Sequence, residues 1–169
     1  MSFSSLSDAR AIVARVDEDL RQLLFRPEGA HELVLARRPP DSSAMTSVVS
    51  DVVWHDVVHL LRWSAASTTS TDVDAGRWWR LAAACADLLR RLPALCDELG
   101  EPWGVTAPAD DADLPAPTRV AVSTVRLAGL LRAPGPVPLR ELAGEVDALG
   151  AAAISAYAEA SSWAVPGRP

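Results

Sequence analysis

The stretch Val48-Val49-Ser50-Asp51-Val52-Val53-Trp54-His55-Asp56-Val57-Val58-His59-Leu60-Leu61-Arg62-Trp63 carries valine pairs at 48/49, 52/53 and 57/58, followed by a leucine pair at 60/61. Pairs four and five residues apart follow the period of a helix, and that pattern outweighs the β propensity of valine itself. With Asp41 or Ser42 as its cap, a helix from Ser43 to Ala66 would be about 36 Å long, enough to act as the strut of a domain. It is apolar around most of its circumference. Such a helix has to be hidden by other helices or by a partner.

The surrounding sequence supplies candidate covers. From Asp8 to Phe25, the residues Ile12, Val13, Val16, Leu20, Leu23 and Leu24 repeat at helical spacing until Pro27 and Gly29. Residues 30–38 read equally as a short helix or an extended piece. Ser64 to Asp74 is rich in serine and threonine and is expected to be a loop, with Asp74 as N-cap of the next helix. That helix carries Trp78, Leu81, Cys85, Leu88, Leu89 and Leu92; Pro93 should kink or break it before Leu99, and Gly100 should stop it. A further helix is expected over Thr118–Arg132. A last one begins at Pro138 and repeats Leu139, Leu142, Val146, Leu149, Ala153 and Tyr157. Gly144, Gly150 and Ala151 to Ala153 keep its flank thin, so that another helix can approach.

The expected fold is therefore all-α: a compact single domain over 1–169, built as a bundle of five to six helices. An irregular, acidic, proline-rich loop over 100–117 would separate the third and fourth main helices, and the tail 165–169 would fray. Composition agrees: 30 Ala, 21 Leu and 17 Val stand against 2 Ile, 2 Phe and 1 Tyr in 169 residues. A chain of this length buries roughly 68–70% of its unfolded surface, so it needs neither disulfide nor metal to fold. All sixteen basic residues are arginine, a usage typical of a high-GC bacterial genome.

Charge excludes some partners. The net charge is −6, and the segment Asp97–Asp113 holds six acidic residues and no basic one. No basic stripe of the kind that tracks phosphates is present, so nucleic acid is not an expected partner. No uncharged stretch approaches the roughly 20 residues that span a bilayer, and Met1 to Asp8 lacks the basic start and apolar run of a signal peptide. No membrane association is expected, and the expected location is the cytoplasm. Cys85 and Cys96, about 16 Å apart along one helix, are beyond disulfide reach and read as small buried apolar groups.

Chemistry concentrates in two places. On a helix Asp51, His55, His59 and Arg62 form one polar stripe, while Asp56 is expected to point into the valine-leucine side. Four-residue spacing lets two imidazoles face one metal ion, and His31 is the remaining histidine. The candidate metal ligands are thus His31, His55, Asp56 and His59. The second place is aromatic: Trp54 and Trp63 flank the stripe, and Trp78 and Trp79 cannot both turn inward because helical neighbours point about 100° apart. One of the latter pair should face a partner, a ligand or solvent.

Two fragments resemble known families. His31, His55-Asp56 and Ala86-Asp87 resemble the His, His-Asp, Asp order of HD-domain phosphohydrolases, which implies an all-helical, metal-dependent hydrolase with Asp87 closing the ligand set. Asp56-Val57-Val58-His59-Leu60-Leu61 is similar to the second-helix region of DinB-like four-helix bundles, some of which bind a metal through three histidines. No histidine follows His59, so that likeness implies only the bundle fold.

The reading drawn from these residues is an accessory or protein-interaction protein without intrinsic catalysis, self-associating as a homodimer or joining another protein, with no cofactor. One alternative is the small hydrolase using a divalent metal. The other is a binder of small apolar ligands in a pocket lined by tryptophan.

Overall fold

The computed structural model describes residues 11, 14–15, 48–69, 74–106, 108, 113–132 and 138–163. Among these residues the protein is all-α, with four helices and no strand: α1 (Val48–Thr69), α2 (Ala75–Leu99), α3 (Ala116–Arg132) and α4 (Leu139–Trp163). Ala11, Ala14 and Arg15 are also helical and exposed, consistent with their lying off the apolar stripe read at 12, 13 and 16. The remainder of that expected first helix, the 30–38 segment and the 165–169 tail lie outside the described residues.

Each helix has a local cause. At the start of α2 the Arg77 N–H donates to Asp74 Oδ1 at 2.8 Å, the expected N-cap. At its end Gly100 turns left-handed, with φ 69° and ψ 24°, and Glu101 N–H donates to the Cys96 carbonyl at 2.9 Å. α2 is a single helix with Pro93 inside it, so of the kink or break expected there the break does not occur. α3 begins at Ala116, two residues before the expected start, with Arg119 N–H donating to the Pro115 carbonyl at 3.0 Å.

α1 also outlasts its expected end. The hydroxyl-rich Ser64–Thr69 piece, read as loop, is helical, and the hydroxyls of Ser67 and Thr68 find partners by bonding back onto the helix. Ser67 donates to the Trp63 carbonyl at 2.9 Å, and Thr68 reaches the Ser64 and Ala65 carbonyls at 3.2 and 2.9 Å. Arg77 Nε in turn donates to Ser67 Oγ at 2.9 Å, which ties the end of α1 to the start of α2.

Packing forms a ring in the order α1, α2, α4, α3, and diagonal pairs do not pack directly. All neighbours run antiparallel. Ser67 meets Arg77 while Asp56 meets Arg91, and Trp79 meets Tyr157 while Gly150 lies against Cys85. Arg126 and Leu130 of α3 share a cleft with Glu141 and Glu145 of α4. It follows that α2 and α3 run the same way, so the chain from Leu99 to Ala116 joins opposite ends of the helices, a single long crossover. Its described residues, 101–106, 108 and 113–115, lie in no helix or strand.

The core is contributed by all four helices, with Leu61, Leu81, Leu92, Leu95, Leu127, Leu131, Leu142 and Leu149 fully buried. Each such leucine is worth about 1.5–3 kcal/mol of burial. The α1–α3 seam is different: Ala65 packs with Ala121 and Val125 beside the buried hydroxyls of Ser64 and Thr124, 2.5 Å apart. Thr124 spends its proton on the Val120 carbonyl at 2.7 Å, so Ser64 is the donor between them.

Candidate functional site

Asp56 does not enter the valine-leucine core as expected. It is half-buried at the rim between α1 and α2, where it forms an ion pair with Arg91. Arg91 also holds Asp87 at 3.0 Å, and Asp87 holds Arg90 at 3.0 Å. Arg91 is therefore shared by the two carboxylates that a metal would need. Together with His59, Leu60, Trp63, Ala84 and Leu88 these residues line a cleft of about 120 Å³.

His55 and His59 are exposed on one side of α1 as the four-residue spacing predicts, their rings nearly parallel at 11° with centroids 6.3 Å apart. Arg62 is half-buried on the same helix. His31 and the side chains of Asp51 and Trp54 lie outside the described residues. Among the described residues no three His, Cys, Asp or Glu side chains converge as a metal site would require.

The tryptophans separate as their angular spacing demands. Trp78 is buried in the core, 6% exposed, whereas Trp79 is 55% exposed and tilts against Tyr157 at a centroid distance of 5.3 Å. Trp63 belongs to the α1–α2 cleft instead. These three rings do not share a cavity.

Trp79 belongs to a surface that the sequence reading did not assemble. On α2, Trp79, Ala83 and Ala86 are exposed on the side turned towards α4. On α4, Ala151, Ile154 and Ala158 are exposed on the side turned towards α2, and half-buried Tyr157 sits between. Ile154 is 52% exposed. The seam beneath is tight, since a Cβ on Gly150 would lie 3.1 Å from Cys85 Cβ. Gly150, part of the thin flank expected of α4, is where α2 approaches. Burial first, and then the nearby Asp147 carboxylate, pushes the Cys85 thiol up to about 12. Among the described residues this face carries no charged side chain until Arg90 and Asp147 close its lower end.

A second unforeseen feature is Glu145, which is 8% exposed. Its signal was available in principle, because position 145 falls on the helical face of Leu142 and Leu149. It lines a cleft of about 390 Å³ between α3, α4 and the crossover, with Thr106, Pro108, Arg126, Gly129, Leu130 and Glu141.

Comparison of the chain with protein-family models, with curated proteins and with solved structures finds no match. No helix among the described residues is long and apolar enough to cross a membrane.

Proposed function

We propose that this protein acts by binding rather than by catalysis, as a cytoplasmic accessory protein that self-associates, a second copy covering the outer face of α2 and α4. The whole chain is then a bundle of five to six helices, with the segments before α1 supplying the additional ones and an acidic, proline-rich loop ending before α3 at Ala116. The observation that carries the reading is the exposure of both Trp79 and Ile154 along the outer side of the α2–α4 pair. Large apolar side chains clustered on one face mark an interaction site, and tryptophan is the residue most enriched among interface anchors. Ala83, Ala86, Ala151 and Ala158 stand low around them and leave room for the rings of an opposing copy. A face presented twice by one chain type is met most simply by two-fold symmetry, which needs no second gene product.

Light scattering of the full chain across a dilution series tests this. The expected molar mass rises with concentration towards twice 18.0 kDa. A mass that stays at one chain throughout overturns self-association.

A further inference from the structure

We infer that the cleft between α3, α4 and the crossover is a binding site for a small organic monocation, an alkylamine or alkylguanidine with a short apolar portion. This inference stands apart from self-association, which concerns the opposite side of α4.

The cleft is built rather than incidental. Thr106 N–H donates to the Arg140 carbonyl at 3.0 Å, which fixes the crossover across the start of α4. The approach is so close that a Cβ on Gly144 would lie 1.7 Å from the Thr106 carbonyl oxygen, so only glycine permits this wall. The volume of about 390 Å³ lies within the range of roughly 300–1,000 Å³ that small-molecule sites occupy.

Gly129 is an exposed part of the cleft wall. It sits inside α3, where glycine costs about 1 kcal/mol relative to alanine. Among the described residues, its own helix backbone aside, no atom lies within 4 Å of where its Cβ would stand, so packing against them does not demand glycine there. What its missing side chain does is widen the cleft that it lines.

The lining selects the ligand. Glu145 is more than nine-tenths buried, and with Glu141 it places two carboxylates against the single guanidinium of Arg126. Among the described lining residues the carboxylates outnumber the guanidinium by one, with Glu145 buried and Glu141 exposed, and such a wall favours a cation over an anion. Pro108 and Leu130 offer apolar surface to a short hydrocarbon.

Ligand-observed NMR titration with n-butylguanidine and n-butylamine, with butanoate as the control, tests the site. The expected result is saturable binding of both cations and none of butanoate. Binding should weaken about tenfold or more in Gly129→Leu, which fills the cleft, and in Glu145→Gln, which removes charge. Gly129→Leu should stay folded because its Cβ meets none of the described neighbours, the cleft has room for the rest of the side chain, and leucine improves helix propensity. Absence of saturable cation binding, equal binding by Gly129→Leu, or preference for butanoate would each overturn the inference.

Discussion

The two rims of α2 are built on opposite principles. Towards α1 the rim is charged, yet its charges answer one another: Asp56 and Asp87 converge on Arg91, and the histidines stand beside them in water. Towards α4 the rim is apolar and nothing among the described residues covers Trp79, Ala83, Ala86 or Ile154. A polar surface that neutralises itself is complete as it stands. An uncharged surface carrying a half-exposed tryptophan remains unfavourable in water until something lies on it. The difference teaches that charged residues, which draw the eye in a sequence, are here the quiet part of the molecule.

The sharpest way to break this comparison is to place one charge on each rim. Ala83→Glu should weaken self-association by at least about 2 kcal/mol, roughly 30-fold, because the carboxylate would be desolvated in the interface. His59→Glu, the matched change at the α1 rim, should leave the sedimentation behaviour unaltered. Equal loss in both variants would show that the two rims are not distinguished in this way.

Gly150→Leu asks whether the apolar face depends on the seam beneath it. The added side chain meets Cys85 and forces α2 from α4, costing about 1–3 kcal/mol in urea denaturation and weakening association as well. Unchanged stability would mean that the seam is looser than its geometry.

Cys85 gives the same seam a pH signature. Burial pushes its pKa in the folded chain from 9.0 up to about 12, so the contribution is fully present below pH 9. Between pH 9 and 12 the unfolded chain loses the proton and the folded chain keeps it. Stability should therefore fall by up to about 1.4 kcal/mol per pH unit across that window, and Cys85→Ala should flatten the slope. With no lysine in the chain, few other groups titrate there.

The smallest effect belongs to the charged rim. Asp56→Asn should cost less than about 1 kcal/mol, since the side chains of Arg91 and Asp56 are 44% and 34% exposed and water screens the pair. A loss of several kcal/mol would reveal a role for this cluster that its exposure does not suggest.

Helical class was legible because periodicity is local: the valine pairs, the Asp74 cap and the Gly100 stop all act within a turn or two. Serine and threonine misled at 64–69, where the hydroxyls find helix carbonyls and Thr124 instead of forming a loop. Asp56 misled because a one-helix projection cannot show Arg91, thirty-five residues away, arriving from α2. The separation of Trp78 from Trp79 was readable from angle alone. The face around Trp79 was not, because Ile154 and Ala83 come onto one side of the molecule only through the packing of α2 on α4, and no spacing within either helix announces it.

Isotope-filtered NOE spectroscopy on an equal mixture of labelled and unlabelled chains looks at that face directly. The account predicts cross-peaks between the Trp79 ring of one copy and alanine or isoleucine methyl groups of the other, drawn from Ala83, Ala86, Ala151, Ile154 and Ala158. Intermolecular cross-peaks confined to the His55 and His59 side, or none at concentrations where light scattering finds a dimer, would contradict it.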